Sequence, residues 1–236
     1  MNKIIRKIQY SEKVYRFDVE APLIAKSRKA GNFVIIRVDA NSERMPLTIA
    51  DADIEKGTIT LVVQKVGLSS TKLCNLNEGD EIHDVVGPLG NPTHIENFGT
   101  VLCAGGGVGV APMLPIIKAL KAAGNRVLSV IAGRSKDLVI MEDEVRASSD
   151  ELIIMTDDGS YGEKGVVTVG MEKLIQQEHI DKAFAIGPPI MMKFCCLLTQ
   201  KYNLPTDVSL NTLMVDGTGM CGACRRTTGG KTKFVC

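Results

Sequence analysis

The sequence has 236 residues, of which 44% are hydrophobic and 23% are charged, and its formal net charge is +1 at pH 7. This length allows one large domain or two smaller ones, and the near-zero charge excludes the positive field that binding to nucleic acid or an anionic membrane requires. Because no stretch approaches the roughly 18 apolar residues of a membrane span and no signal peptide is present, we expect a cytoplasmic protein.

The N-terminal part is predicted to be an antiparallel β-barrel. Short segments rich in Val and Ile, separated by Gly, Asp and Asn, recur about every ten residues, which is typical of such barrels. The run Gly-Pro-Leu-Gly-Asn-Pro at 87–92 ends this pattern, so we predict a first domain at 1–96. The predicted strands are 7–11, 14–20, 33–38, 58–64 and 81–86.

After this boundary, short apolar segments alternate with helical patterns, which predicts a parallel sheet with helices on both faces. We place this α/β domain at 97–207 and a glycine- and cysteine-rich module at 208–236. The predicted strands are 101–104, 127–132, 152–156, 183–186 and a closing strand at 208–213; the predicted helices are 111–123, 141–147, 168–177 and 190–202.

Seven cysteines in a cytosolic chain indicate metal ligands or buried small side chains more than disulfides, because that compartment keeps thiols reduced. Four lie in apolar segments and three crowd the end of the sequence: Cys74, Cys103, Cys195 and Cys196, and then Cys221, Cys224 and Cys236.

The strongest motif reads Asp-Gly-Thr-Gly-Met-Cys-Gly-Ala-Cys at 216–224, and Cys236 follows. A plant-type 2Fe-2S cluster uses a glycine-rich loop with Cys-x4-Cys-x2-Cys and a distant fourth Cys. With Asp216 in the first position, the pattern predicts Asp216, Cys221, Cys224 and Cys236 as ligands, and a carboxylate ligand would alter the reduction potential. The alternatives are a zinc site, a loop with exposed thiols and, for Asp216, an ordinary turn residue.

A second motif, Gly-Gly-Gly-Val-Gly-Val-Ala-Pro at 105–112, lies between a predicted buried strand and a predicted helix. Glycines let a pyrophosphate approach the backbone, and a helix N-terminus offers unpaired N–H donors and a positive dipole end. The spacing departs from G-x-G-x-x-G, and the alternative is a tight turn without a ligand.

Four stretches occur in the order used by the ferredoxin-NADP reductase superfamily: 44–51, 87–90, the glycine loop ending at 111–112, and 187–192. With the cysteine motif added, the chain resembles the branch that contains the electron-transfer subunit of dihydroorotate dehydrogenase, the small subunit of NADH-dependent reduced ferredoxin:NADP oxidoreductase and the sulfide dehydrogenase flavin subunit. The resemblance covers nearly the whole chain. It implies an antiparallel β-barrel FAD domain, an α/β parallel-sheet NAD(P)-binding domain and a C-terminal 2Fe-2S module.

The resemblance also implies cofactor-binding residues, with one departure. The superfamily's flavin-phosphate arginine stands three residues before a Ser or Thr, and this position is Met45 here, so either Arg44 reaches the phosphate by another route or another cation replaces it. Arg134 could accept the 2′-phosphate of NADP or lie in a solvated turn, which leaves NAD(H) or NADP(H) open. The residues implied for FAD are Arg44, Pro46, Leu47, Thr48, Gly67, Ser69, Ser70 and Thr71. Those implied for NAD(P) are Gly106, Gly107, Val108, Gly109, Pro112, Gly133, Arg134, Asp157, Asp158, Gly187, Pro188 and Met191.

The function implied by the resemblance is an NAD(P)H-dependent oxidoreductase subunit that moves electrons between NAD(P)H, FAD and a 2Fe-2S cluster. The cofactors carry the chemistry, so no catalytic side chain is expected. The implied partner is a larger flavin and iron-sulfur catalytic subunit, or ferredoxin. Asp216 favours the ferredoxin:NADP and sulfide dehydrogenase type, because the resemblance implies a fourth Cys at this position in the dihydroorotate dehydrogenase subunits.

Two other hypotheses are a stand-alone NAD(P)H:ferredoxin-type reductase and a zinc-stabilised nucleotide-binding regulator without redox activity. Members of the branch continue past the last Cys, so we expect this chain to be truncated at its C-terminus.

Overall fold

The computed structural model describes residues 2–236 and divides the chain into two compact units. The first unit comprises Met1–Thr93 and Asn211–Cys236, and the second comprises His94–Leu210. None of the helices found in residues 2–236 is long and apolar enough to cross a membrane.

The first unit is built on seven antiparallel strands and two short helices. They are β1 (Asn2–Ser11), β2 (Val14–Glu20), α1 (Pro22–Ser27), β3 (Phe33–Arg37), β4 (Met45–Asp53), β5 (Thr58–Gln64), α2 (Leu68–Asn75), β6 (Glu81–Ile82) and β7 (Asp84–Leu89). The strand order is β6-β1-β2-β5-β4-β3-β7. Because His83 alone separates β6 from β7 at the two ends of this order, the sheet must curl into a nearly closed barrel.

The second unit is a parallel sheet with four helices. Its elements are β8 (Thr100–Gly106), α3 (Val110–Ala122), β9 (Arg126–Gly133), α4 (Glu142–Ser148), β10 (Glu151–Thr156), β11 (Glu163–Lys164), α5 (Val167–Gln177), β12 (Lys182–Ile186), α6 (Pro189–Lys201) and β13 (Thr206–Val208). The strand order is β11-β10-β9-β8-β12-β13. The chain therefore runs from β8 to one edge and then crosses to β12, which creates a topological switch point between β8 and β12.

Side chains of β8 are buried on both faces of this sheet. Leu102 and Ala104 pack in one core with Met171 of α5 and Leu198 of α6. Cys103, which points to the opposite face because side chains alternate along a strand, is also fully buried. Both faces are therefore covered, as the sequence predicts.

Three of the four cysteines in apolar segments are buried in the two units. Burial raises the pKa of the Cys74 thiol to about 11 and that of Cys195 to about 12, and it raises the pKa of Cys103 as well. These thiols are therefore packed as small apolar side chains, while Cys196 is partly exposed.

The predicted closing strand at 208–213 is wrong. β13 ends at Val208, which pairs with Ala185 near the end of β12. Since β12 itself ends at Ile186, a longer β13 would have no partner, and Leu210 and Leu213 are exposed.

The C-terminal segment contains a hairpin, whereas the sequence predicts a glycine- and cysteine-rich module without strands after residue 213. Its strands are β14 (Arg225–Thr228) and β15 (Lys231–Phe234). Gly229 and Gly230 join them with φ values of 56° and 73°, the positive values that a tight two-residue hairpin turn requires.

Strand β3 connects this C-terminal segment to the barrel. Val34 and Ile36 of β3 point into the barrel core, whereas Phe33 and Ile35 lie on its outer face and are nevertheless buried. Gly217 closes this outer face: a Cβ atom there would lie 3.0 Å from Ile35 Cγ1 and 2.8 Å from Leu89 Cδ1. The segment that carries the predicted metal ligands thus packs on the barrel through a residue without a side chain.

We predict that Gly217→Ala destabilises the protein by about 1 to 3 kcal/mol more than Gly219→Ala, as expected for overpacking. Both residues have positive φ, 78° and 82°, so both variants carry the backbone strain of a left-handed alanine. Gly217→Ala adds the clash, while a Cβ at Gly219 meets its first neighbour at 4.0 Å. Urea unfolding measures the difference, and equal losses in the two variants would refute the packing role of Gly217.

Candidate functional site

The predicted nucleotide loop lies at the switch point of the second unit. Gly106 ends β8, residues Gly107–Gly109 form a single 3-10 turn, and α3 begins at Val110. A Cβ at Gly109 would lie 2.5 Å from the carbonyl oxygen of Ile186 at the end of β12. The N-terminus of α3, with its unpaired amides, is therefore brought against the end of β12 as closely as a bare backbone permits.

Two further glycines at this point are covered by one flexible side chain. A Cβ at Gly187 would lie 2.7 Å from Met191 Cε, and a Cβ at Gly106 would overlap Met191 Sδ. The predicted residues Gly106, Gly187 and Met191 thus meet in one place. A thioether can change its conformation at little cost, so Met191 can yield this space to a ligand.

The other predicted nucleotide residues lie at the ends of β9 and β10. The main-chain N–H of Asp157 donates to Gly133 O at 3.2 Å, and that of Asp158 donates to Arg134 O at 3.2 Å. Next to them is a cavity of about 540 Å³ lined by Ser135, Lys136, Asp137, Asp158 and Ser160. The sequence prediction missed Asp137 and Ser160, although Ser160 belongs to a polar Asp-Asp-Gly-Ser run directly after a buried strand.

This cavity contains two carboxylates and one ammonium group. Asp158 Oδ1 accepts hydrogen bonds from Ser160 Oγ at 2.6 Å and Ser160 N at 2.9 Å, which lower the pKa of Asp158. The Ser135 hydroxyl donates to Asp137, and Lys136 Nζ lies 5.3 Å from the centre of the Tyr161 ring. The cavity lining therefore offers charged acceptors for hydroxyl groups and has an excess of one negative charge.

The predicted flavin residues lie on β4 and α2 of the first unit. Pro46, Leu47 and Thr48 pair with β3, and the exposed Arg44 immediately precedes β4. Ser69, Ser70 and Thr71, which were predicted in a loop, instead form the first turn of α2 after Gly67. An exposed helix N-terminus of this kind is suited to a phosphate group.

Ser70 has a structural task in this turn. Its Oγ accepts hydrogen bonds from the main-chain N–H groups of Val66 at 3.0 Å and Gly67 at 2.9 Å, and the residue is buried. Ser69 is partly exposed, and its hydroxyl lies 3.5 Å from Glu43 Oε2. Ser69, rather than Ser70, therefore has a hydroxyl to offer to a phosphate.

Lys72 is a cation that the sequence prediction missed. It lies one turn after Ser69 and pairs with Asp39 at 3.0 Å, and its hydrogen bond lowers the pKa of Asp39 to about 2. Lys72 thus follows the first turn of α2, and Arg44 is the neighbour in sequence of Glu43, whose carboxylate lies 3.5 Å from the Ser69 hydroxyl.

The predicted metal-binding loop is shaped by its glycines and by Asp216. The Asp216 carboxylate accepts hydrogen bonds from the N–H groups of Thr218 and Cys221, each at 2.9 Å, and they lower the pKa of Asp216. Gly217, Gly219 and Gly222 all have positive φ, which allows the chain to turn around this carboxylate.

Two of the four predicted ligands are in contact. Cys224 Sγ lies 3.0 Å from Cys236 Sγ, longer than the about 2.05 Å of a disulfide bond. Hydrogen bonding from the main chain of Cys236 lowers the pKa of Cys224, and burial raises the pKa of Cys236. The main chain around Cys224 therefore favours its thiolate, which is the form that binds metal.

The complete ligand set is not assembled. In the part of the chain that the structure describes, no three His, Cys, Asp or Glu side chains are gathered to hold a metal ion. Asp216 is tied to the main chain of Cys221, whose own side chain is exposed. The thiol pair fits a soft-metal or iron-sulfur group by its chemistry, while the Asp216 carboxylate would have to exchange main-chain partners for iron.

No family model matches the chain. The curated proteins nevertheless include similar ones. A dihydroorotate dehydrogenase B (NAD(+)) electron transfer subunit homolog from Thermotoga maritima is 50% identical over 236 residues, which cover 100% of this chain and 83% of that protein. The dihydroorotate dehydrogenase B (NAD(+)) electron transfer subunit of Fusobacterium nucleatum is 31% identical over 225 residues, 92% of this chain and 85% of that protein.

Solved structures of other proteins are also similar to this chain. A structure of NADH-dependent reduced ferredoxin-NADP oxidoreductase, reported for insights into flavin-based electron bifurcation, is 48% identical with a TM-score of 0.94, covering 99% of this chain and 84% of that one. The cytochrome b5 reductase domain of Ulva prolifera nitrate reductase is 18% identical with a TM-score of 0.68, covering 88% of this chain and 96% of that one. The second likeness is one of fold, and it confirms the predicted combination of an antiparallel barrel with a parallel α/β sheet.

We predict that Ser70→Ala lowers the stability of the FAD-free protein by about 1 kcal/mol, because a cap of α2 is lost. Ser69→Ala should leave this stability unchanged and weaken FAD binding instead. Urea unfolding without FAD and a flavin fluorescence titration separate the two effects. The opposite assignment, with Ser70→Ala as stable as the parent, would show that Ser70 is not the cap.

Proposed function

The chain belongs to the family of dihydroorotate dehydrogenase B electron transfer subunits and their homologues, and we propose that it passes electrons between NAD(P)H, FAD and a 2Fe-2S cluster to or from a larger catalytic subunit. It is a subunit of a flavin-dependent NAD(P)H oxidoreductase. In this proposal residues 1–96 bind FAD, residues 97–207 bind the nicotinamide nucleotide, and residues 208–236 hold the cluster.

The observation that supports this function most strongly is that strand β3 contacts both the proposed flavin strand and the proposed cluster loop. Its residues Phe33 and Ile35 pair with Thr48 and Pro46 of the proposed flavin strand. The same two side chains lie under Gly217 of the proposed cluster loop. A flavin site and a cluster site built on one buried strand would be held at a constant separation, which electron transfer between them needs.

The flavin site proposed here consists of the β4 residues Pro46, Leu47 and Thr48 and the first turn of α2. Ser69 and the free amides of this turn would bind the pyrophosphate, with Lys72 or Arg44 supplying positive charge. When bound, FAD accepts a hydride from reduced nicotinamide and releases electrons singly. The chain itself contributes position and charge, and Ser70 keeps the turn in shape.

The nicotinamide nucleotide is proposed to bind at the switch point of the second unit. The glycines 106, 107 and 109 and the N-terminus of α3 would bind the pyrophosphate, with Met191 moving aside. Asp158 would bind a ribose hydroxyl in the cavity that it lines with Ser135. Because a second carboxylate, Asp137, lies in the same cavity, a 2′-phosphate would be repelled, which favours NAD(H) over NADP(H).

The cluster is proposed to be held by Cys221, Cys224 and Cys236, with Asp216 as the fourth ligand. The donor set supports iron because two thiols already lie together and one of them favours the thiolate. Asp216 shapes the loop through its two amide hydrogen bonds in the absence of iron. The ferredoxin:NADP type of complex is favoured over the dihydroorotate dehydrogenase type, because this chain has Asp216 at the position where the resemblance implies a Cys in the dihydroorotate dehydrogenase type.

We predict that Asp158→Asn raises the ratio of kcat/KM for NADPH to that for NADH by about tenfold. The substitution removes a negative charge that would repel the 2′-phosphate of NADPH, and a tenfold change corresponds to roughly 1.4 kcal/mol. Asparagine keeps the hydrogen-bond acceptor for Ser160. The control is Asp143→Asn on the exposed side of α4, which should leave the ratio unchanged. Steady-state reduction of a dye by each nucleotide gives the ratio, and a constant ratio in Asp158→Asn would contradict the proposed ribose site.

We predict that Cys224→Ser loses most of the bound iron while FAD content and the rate of flavin reduction by NADH stay at the parent values, because the modules use separate residues. Cys196→Ser, at a partly exposed cysteine on α6, is the control and should retain its iron. Iron assay and anaerobic stopped-flow absorbance provide the measurements. Full iron content in Cys224→Ser would remove the ligand assignment.

A further inference from the structure

A single side chain fills the groove at the switch point of the second unit. Gly106 ends β8 and Gly187 follows β12, and a Cβ at Gly187 would lie 3.2 Å from Gly106 O, so the two backbones are neighbours. Met191 lies over both glycines. Its Cε is 2.7 Å and its Sδ 2.9 Å from the Cβ position at Gly187, and its Sδ overlaps the Cβ position at Gly106. Met191 thus occupies the space that two missing side chains create.

The adjoining part of the glycine loop is open. Among residues 2–236, no atom other than those of its chain neighbours lies within 4 Å of the position of a Cβ at Gly107. The single turn 107–109 leads directly into the N-terminus of α3. A pyrophosphate can therefore approach Gly107 and this helix end without displacing Met191.

The strand order indicates which part of a dinucleotide meets Met191. The cavity that contains Asp158 lies beside the ends of β9 and β10, the glycine loop follows β8, and Met191 lies just after β12. These strands are neighbours in the order β10-β9-β8-β12. A nucleotide with its adenosine ribose at Asp158 and its pyrophosphate at the glycine loop would therefore extend its nicotinamide half to the end of β12.

The start of α6 suits an uncharged ring better than a phosphate. Pro188 and Pro189 occupy the N-cap and the first position of this helix, and neither has an N–H group. The next residue, Ile190, is exposed. Together with Met191, these residues give the end of β12 an apolar surface, in contrast to the amides at the N-terminus of α3.

We propose that the Met191 side chain occupies the nicotinamide position in the free protein and must be displaced before that half of the nucleotide binds. The proposal rests on the proposed function, which places the nucleotide at this switch point. A conformation that blocks a site lowers the apparent affinity in proportion to the fraction of molecules whose site is free. Methionine suits this role because its unbranched side chain adapts readily. Met191 thereby sets the affinity for the whole nucleotide but not for its adenosine half.

The test measures the dissociation constants of NAD+ and ADP-ribose for the FAD-loaded protein by isothermal titration calorimetry. ADP-ribose has the adenosine and the pyrophosphate but no nicotinamide. Met191→Ala is expected to bind NAD+ about tenfold more tightly than the parent, roughly 1.4 kcal/mol, and ADP-ribose within about twofold of the parent. The reason is that only the free protein loses a packing contact. An unchanged constant for NAD+ would overturn the proposal, as would an equal gain for both ligands.

A fixed methyl group in the same space separates steric occupation from the chemistry of methionine. The φ of Gly187 lies outside the left-handed range, so alanine adopts this backbone without strain. Gly187→Ala/Met191→Ala therefore replaces a movable group by an immovable one. It should bind NAD+ at least about tenfold more weakly than Met191→Ala and bind ADP-ribose as the parent does. Equally tight NAD+ binding by the single and the double variant would refute the proposed blocking of the site.

Met192 provides a matched control for lost packing. It is the next residue of α6 and is buried, whereas the atoms nearest to the Cβ positions at Gly106 and Gly187 belong to Met191, Pro188 and the main chain of Gly106. Met192→Ala should lower the free energy of unfolding and leave both dissociation constants unchanged. If it tightens NAD+ binding as Met191→Ala does, general loosening of α6 explains the gain and the proposal is wrong.

The two ligands also separate this proposal from the function on which it rests. If neither NAD+ nor ADP-ribose binds the parent or any variant, the proposed nicotinamide nucleotide site is refuted, and the role of Met191 with it. If both ligands bind with the same constants in the parent and in every variant, the nucleotide site stands and the role of Met191 alone is refuted.

Discussion

Strand β3 is buried on both faces, and the contact that closes its outer face is made by Gly217, a residue without a side chain. Val34 and Ile36 anchor the strand in the barrel core, which fixes Phe33 and Ile35 on the other side. Those two residues then position two different segments, because they pair with the flavin strand β4 and pack under the cysteine loop. The proposed electron-transfer role of the first unit depends on this arrangement.

In the second unit, too, glycines allow close packing of backbone segments. Gly109 lets α3 approach the end of β12, and Gly106 and Gly187 leave a space that Met191 fills. A helix N-terminus and bare backbone at a topological switch point are what a dinucleotide needs. Both units thus use glycine for close approach of one chain segment to another.

Much of this fold could be predicted from the sequence. The bounds of β2 and β5 follow from Val- and Ile-rich segments between turn residues, and α3 ends just before Gly124 as its sequence indicates. Other features depend on tertiary context. The length of β13 depends on where β12 stops, and the role of Ser70 depends on the path of the main chain at Val66 and Gly67. The hairpin had a Gly-Gly signal, but its strands lack the alternating apolar residues that usually support one. Of the predicted ligands, Cys224 and Cys236 meet. Asp216 accepts a hydrogen bond from Thr218 two residues on, as the alternative of a turn residue implies, whereas its bond from Cys221 depends on the path of the loop.

The proposed electron transfer requires that one chain hold a flavin and an iron-sulfur cluster in electronic contact. An anaerobic reductive titration of the purified protein with NADH, followed by visible absorbance and electron paramagnetic resonance, tests it most directly. We expect the protein to take up one more electron than its flavin alone accepts, and the signal of a reduced 2Fe-2S cluster to appear. A protein whose flavin is bleached without any such signal, or one that contains neither flavin nor iron, would contradict it.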